Sequence, residues 1–388
     1  NGGQDYIDIV RHGNERVLKA RLADARFFFE EDKKVPLADR LEKLKTVVFQ
    51  EGLGTMYDKT LRLERLAAFI AKEAGLATGE HTSIERAAHL AKADLVTGMV
   101  CEFTELQGVM GREYAKLGGE SQAVAEAIYE HYLPRFSGDF LPKSAAGRAI
   151  SIADKLDNIV ATFSRGLIPT GSQDPFALRR QALGVVNIML EAKYTVSLQS
   201  LTEAAMDLLG IADAERRSKL TGEVQEFFRL RLKNILADED MRYDMVDAVL
   251  AAGNDDIFDT WQRAKALSLE GGTIAMQRAV QALTRAGNLA KNATQDAIDP
   301  SLFEVEAEHK LYEALQRTKQ TIISLRAAKD YTSVLKAIAE LTDPIDAFFG
   351  QVMVMVENVP VRNNRLALLK AITTLSAGVA DLSKIVTQ

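Results

Sequence analysis

A chain of 388 residues has room for two or three domains, and 47% hydrophobic against 26% charged residues is the balance of a globular protein. A net charge of −6 excludes a uniformly basic nucleic-acid binder, although a basic face can sit on an acidic protein. The single cysteine, Cys101, excludes a disulfide within the chain. It lies in the apolar run MVCEF and reads as a small buried hydrophobe. No run of 18 or more apolar residues and no signal-peptide pattern occurs, so a cytoplasmic protein without membrane contact is expected. The chain starts Asn-Gly-Gly, which suggests a piece of a longer protein. Prolines number only 8, and Ala, Leu, Glu, Lys and Arg dominate, so the fold is expected to be all-α or nearly so.

The first helical pattern covers 14–34, with Val17, Leu18, Leu22, Ala25 and Phe28 recurring at spacings of three and four. A second covers 59–74 through Leu61, Leu63, Leu66, Phe69 and Ile70. Ser83 with the run from Arg86 to Val100 predicts a third, more apolar and more buried. Further helices are predicted over 121–133, 145–164 and 175–192, with a punctuated loop at 165–174. From 193 to 299 several helices follow weak breaks, and YTVSLQSL is the one short run with strand character. After residue 299 four helical segments with short links read as a bundle: 301–328, 331–341, 345–357 and 365–386. Leu311, Leu315, Ile322 and Leu325 form one stripe, and Leu366, Leu369 and Ile372 another. Asp-Pro occurs at 174–175, 299–300 and 343–344, each before a helical pattern, which reads as an Asp N-cap followed by Pro at the first helical position.

The segments IERAAHLAKADLVT and AISIADKLDNIV resemble the HD superfamily of helical metal phosphohydrolases, which hold divalent metal with a His, a His-Asp pair and a distant Asp. Aligning the helices places the family's first His at Lys59, the pair at Ala93 and Asp94, and the last Asp at Asp154. Two of the four ligands are thus replaced. Lys59 brings a positive charge to the place of a cation and is able to pair with Asp94 or Asp154. His89 and His131 read as structural or solvent-facing, so no metal is expected. There is no phosphate loop and no residue set for independent catalysis.

An ordered set of segments runs through essentially the whole chain: NERVLKARLADARFFFEEDKK, LEKLKTVVFQEGLGTMYDKTLRL, AKADLVTGMVCEFTELQGVMGREYA, EHYLPRF, IPTGSQDPFALRRQALGVV, MRYDMVDAVLA and FFGQVMVMVENVPVRNNRLALLKAI. This set resembles the β subunit of the bacterial tetrameric glycyl-tRNA synthetase. The resemblance implies a preceding, missing domain ending in 1–20, an HD-like domain without hydrolase ligands over 21–192, a helical linker over 193–299 and a helical anticodon-binding bundle over 300–388. It also implies glycine tRNA and the α subunit as partners, in an α2β2 tetramer, with ATP and Mg at the α subunit and no cofactor in this chain. The competing readings are an active HD phosphohydrolase and a scaffold that only joins subunits.

For RNA contact the candidates are Arg362, Asn363, Asn364 and Arg365, which supply donors and acceptors for phosphates or base edges. Phe349, with Phe348 and Tyr331, is a candidate for stacking, although helical spacing with Val352 argues that at least one of the phenylalanines is core. Arg179 and Arg180 point about 100° apart on their helix. One is expected to pair inside, with Asp154 or Asp157, and the other to face solvent or RNA.

Overall fold

The computed structural model describes residues 6–387. The segment expected to end a preceding domain therefore lies partly outside the described residues. Seventeen α-helices follow in order: α1 (Ile7–Asp32), α2 (Met56–Glu73), α3 (Thr78–Leu90), α4 (Gly98–Glu102), α5 (Val109–Leu117), α6 (Gln122–Glu130), α7 (Ala145–Ser164), α8 (Leu178–Ala192), α9 (Leu198–Leu208), α10 (Ala214–Asp238), α11 (Tyr243–Ala251), α12 (Ile257–Glu270), α13 (Ile274–Ala290), α14 (Glu306–Ala327), α15 (Tyr331–Ala339), α16 (Thr342–Gln351) and α17 (Val359–Thr373). Among the described residues the only β pairing is three isolated bridges, so the all-α expectation holds. The run with strand character supplies one bridge, Ser197 with Asp256, and then enters α9.

The chain divides into two compact units. One runs to Ala192 and takes back Leu198–Val224; the other takes Lys193–Ser197 and Gln225 onward. In the first unit α7 is the central element. Sixteen of its 20 residues are buried, and α2, α3, α6, α8 and α9 pack around it. A helix covered on every side carries no polar stripe, so its polar residues must find partners inside. Gly147 lets α6 approach: a Cβ there would meet Glu130 Oε2 at 2.2 Å. In the second unit, α13 packs on α16 and α17, while α14 packs on α15 and α16. Leu311, Leu315, Ile322, Leu366, Leu369 and Ile372 are buried there as their periodicity predicts.

Several local expectations are corrected. The predicted helix through Val100 stops at Leu90, turns through a 3-10 segment at Ala93–Val96 and restarts at Gly98 under a Thr97 cap. Apolar burial continues across the break at Ala91, Ala93 and Val100, so the periodicity hides the change of direction. Cys101 is exposed rather than core. On α1, Val17, Leu18 and Leu22 are about 60% exposed. The segment after α16 leaves the helix: Val352 and Val354 are buried while Met353 and Met355 are exposed, an alternation of period two, as in extended chain.

The three Asp-Pro pairs behave differently. Asp299 caps a short 3-10 turn with Pro300 at its start, as expected. Asp343-Pro344 instead lies inside the first turn of α16, whose N-cap is Leu341. Asp174 caps α8 from a distance: its carboxylate accepts Leu178 N–H at 2.8 Å and Arg179 N–H at 3.0 Å, with Ala177 at φ 52° between. Pro175 is outside that helix.

The RNNR group of α17 proves to be part of the framework. Arg365, 3% exposed, donates to Glu308 at 2.8 Å, to Glu304 at 2.8 Å and to the Met353 carbonyl at 3.0 Å. Glu308 is 0% exposed and also accepts the N–H groups of Glu304 and Val305 at 2.9 Å. Asn364 exchanges two hydrogen bonds with the Asp299 backbone, at 2.7 and 2.9 Å. Together they fasten the entry of α14 to α17. Arg365→Ala would strand a buried carboxylate and should lower stability by about 3–5 kcal/mol. The half-buried Arg362→Ala should stay within about 0.5 kcal/mol of the parent. Urea unfolding midpoints of the two variants check this; equal midpoints would overturn it.

Candidate functional site

Asp154 and Asp157 lie on the buried helix α7, where an ionised carboxylate needs a countercharge. α2 supplies two. Lys59, 2% exposed, sits 3.0 Å from Asp154 Oδ1 and 3.0 Å from Asp157 Oδ2, and donates to Asn158 Oδ1 at 2.9 Å. Arg62 donates to Asp157 at 2.7 and 3.1 Å. The chain after α3 supplies Lys92, 3.0 Å from Asp154 Oδ2. Burial would raise the Asp154 carboxyl, but Lys59 and Lys92 hold it well below the usual range. Burial likewise opposes the Lys59 ammonium, yet Asp154 and Asp157 overcome it and its pKa rises. For Lys92 burial wins over the attraction of Asp154 and Asp94, with Lys59 opposing as well, and its pKa is lowered.

The inherited ligand positions do not fit a divalent cation. Ala93 is buried and has no donor atom. Lys59 pairs with Asp154 and Asp157 rather than with Asp94. Asp94 instead accepts the Gly108 N–H at 2.6 Å, and burial pushes it up to about 6. Gly108 is required there: its φ is 77°, and a Cβ would lie 2.5 Å from the Tyr132 ring. His89 reaches Glu64 at 2.6 Å, and His131 is wholly buried with Nδ1 on the Ile128 carbonyl at 2.6 Å. Among the described residues no three His, Cys, Asp or Glu side chains converge as a metal site. The Lys59 ammonium sits between the Asp154 and Asp157 carboxylates.

Neither Arg179 nor Arg180 is the ion-pair partner of Asp154 or Asp157, whose places are taken by Lys59, Lys92 and Arg62. Arg180 is exposed, donates to the Arg135 carbonyl at 3.2 Å and lines a cleft that reaches Asp154. Arg179 is half-buried, and its N–H is held by the Asp174 cap.

In the second unit the RNA candidates separate into two groups. Asn364 and Arg365 are buried in the clamp described above, and Tyr331 is buried with its hydroxyl on Asp259. Phe348 is 0% exposed and belongs to the core. Arg362 and Asn363 are half-buried, and Arg362 donates to the Val356 carbonyl at 3.2 Å. Phe349 is half-buried, with the Arg285 guanidinium 4.0 Å over its ring. Arg285 also pairs with Asp346 at 3.3 Å, beside Arg278. Sequence reasoning missed Arg278 and Arg285 because they lie on α13, ahead of residue 300; the amphipathic pattern of α13 was the available signal.

Lys155 gives a pH test of the α7 cluster. It donates to the His131 and Leu133 carbonyls and to Ser151, and burial pushes its pKa from the ordinary 10.5 down to about 7. Between those values the unfolded chain binds the extra proton, so stability should rise with pH through this window and be lost as pH falls through it. Lys155→Met should flatten that rise. Urea midpoints from pH 7 to 10 measure it, and identical pH slopes in parent and variant would refute it.

Residues 1–251 match the family described as glycyl-tRNA synthetase beta subunit, and residues 275–382 match the DALR anticodon binding domain. Over its whole length the chain is 49% identical to the glycine–tRNA ligase beta subunit of Desulforamulus reducens, and 49% identical to that of Clostridioides difficile. Over 99% of its length it is 46% identical to that of Desulforudis audaxviator. In each case it spans 56% of the relative. With this identity along its full extent, the chain belongs to the glycyl-tRNA synthetase β-subunit family.

Proposed function

We propose that this chain is the tRNA-holding, non-catalytic part of a cytoplasmic glycine–tRNA ligase, working with an α subunit that binds ATP and Mg and forms the glycyl bond, in an α2β2 tetramer. The carrying observation is the anticodon-binding match over 275–382, which falls on a bundle with accessible arginine, amide and aromatic groups. Within it we assign residues 300–388, together with α13, to anticodon reading; 21–192 serve as an HD-like body and 193–299 as a linker.

Glycine codons are GGN, so the anticodons share two cytosines. Reading them calls for splayed bases, stacking surfaces and edge hydrogen bonds. Phe349 with Arg285 over its ring supplies a stacking platform. Arg362 and Asn363 remain for phosphate and base-edge contacts, whereas Asn364 and Arg365 act indirectly by fixing the backbone that presents them.

Gel shifts with glycine tRNA test the reading. Affinity should fall steeply between about 50 and 200 mM salt, and changing an anticodon cytosine should cost about 1–3 kcal/mol. Phe349→Ala should lose about 1–3 kcal/mol of stacking, and Arg362→Ala should reduce the salt slope by about one. Binding indifferent to the anticodon would reject anticodon recognition. Tight α-subunit association without tRNA affinity would favour a scaffold instead.

A further inference from the structure

The cleft beside α7 has a volume of about 370 Å³. Its lining contains five cationic side chains, Lys59, Lys92, Arg135, Lys155 and Arg180, against one carboxylate, Asp154. Internal pairing accounts for only part of this charge. Lys59 is saturated by Asp154, Asp157 and Asn158, and Lys155 by two carbonyls and Ser151. Arg135 is paired with Asp139 at 2.9 Å. Lys92 is different: of its three protons, one goes to Asp154 at 3.0 Å, and its ammonium lies 4.2 Å over the Tyr132 ring. Arg180 gives one N–H to a carbonyl at 3.2 Å and has four others in its fork. Tyr132 also lines the cleft, and its hydroxyl is buried behind that surface with no hydrogen-bond partner among the described residues.

We infer that this cleft is an anion-binding site for a phosphate monoester, held by Lys92, Arg180 and the Tyr132 hydroxyl. A monoester carries about −1.5 to −2 charges at neutral pH and three acceptor oxygens, which matches two incompletely used cations and one orphan donor. A diester carries one charge and matches less well. Phe49, Met56 and Leu95 on the same lining offer apolar surface for whatever the phosphate is attached to. An anion here would add negative charge beside the clustered Lys59, Lys92 and Lys155 side chains. The inference concerns residues of the first unit and stands apart from anticodon reading.

The test is calorimetric titration of the 388-residue chain with inorganic phosphate at constant ionic strength. Saturable binding is expected, weakened about tenfold or more in Arg180→Ala and in Tyr132→Phe. Tyr132→Phe removes a hydroxyl without a partner, so its melting temperature should be equal to or higher than the parent's. Loss of phosphate binding there separates a ligand contact from a structural one. Competition with one RNA prepared with a 5′-phosphate or a 5′-hydroxyl identifies the source. Displacement by the phosphorylated form alone supports an RNA end; displacement by a mononucleotide but neither RNA supports a small phosphate ester. Absence of saturable binding, or equal affinity in both variants and the parent, would overturn the site.

Discussion

The first unit depends on one constraint: two carboxylates on a helix with no solvent-facing side. Asp154 and Asp157 are buried, and an unpaired buried carboxylate would neutralise itself or unfold the helix packing. The neighbouring elements are therefore arranged around the charge as well as around the apolar core. Lys59 and Arg62 point from one face of α2, and Lys92 from the turn that breaks α3 away from α4. Removing any one partner leaves the others buried, so the cluster acts as a unit that fixes how α2, α7 and the 91–97 turn meet.

The second unit solves a related problem with different residues. Arg365 and Glu308 form a buried pair, and Asn364 completes the Asp299 backbone. Both devices hold a chain reversal against a helix, where backbone groups would otherwise be left without partners. A hydrophobic contact gives no direction, whereas these pairs set register and angle. The polar start of α17 thus divides its work: Asn364 and Arg365 face inward to fasten the bundle, and Arg362 and Asn363 stay half-exposed.

The long helices were legible in the sequence: 145–164 coincides with α7 almost to the residue, and α14 buries Leu311, Leu315 and Ile322 of its stripe, leaving Leu325 half-buried. The side-chain chemistry at positions 59 and 93 was readable directly from the sequence, whereas the pairing of Lys59 with Asp157 as well as Asp154 was not. Three features were not. The break after Leu90 is set by tertiary demands on Asp94 and Thr97 while apolar burial continues through it. The exposure of Cys101 depends on the short helix α4 turning its face outward, which composition does not record. The inward direction of Arg365 depends on Glu308, 57 residues away, and polar residues at a helix start otherwise read as surface.

The charge balance around α7 is set by cations that belong to the chain itself. A divalent cation held by carboxylates contributes two positive charges at one point; here the ammonium groups of Lys59 and Lys92 bracket the same carboxylate from two elements. These pairs tie α2 and the turn at 91–97 to α7. Because both cations are tethered, their charge stays at the cleft. Burial, with a smaller contribution from the neighbouring ammonium groups, lowers the proton affinity of Lys92 and Lys155, so the pairing with Asp154 is what offsets the cost of holding these cations inside.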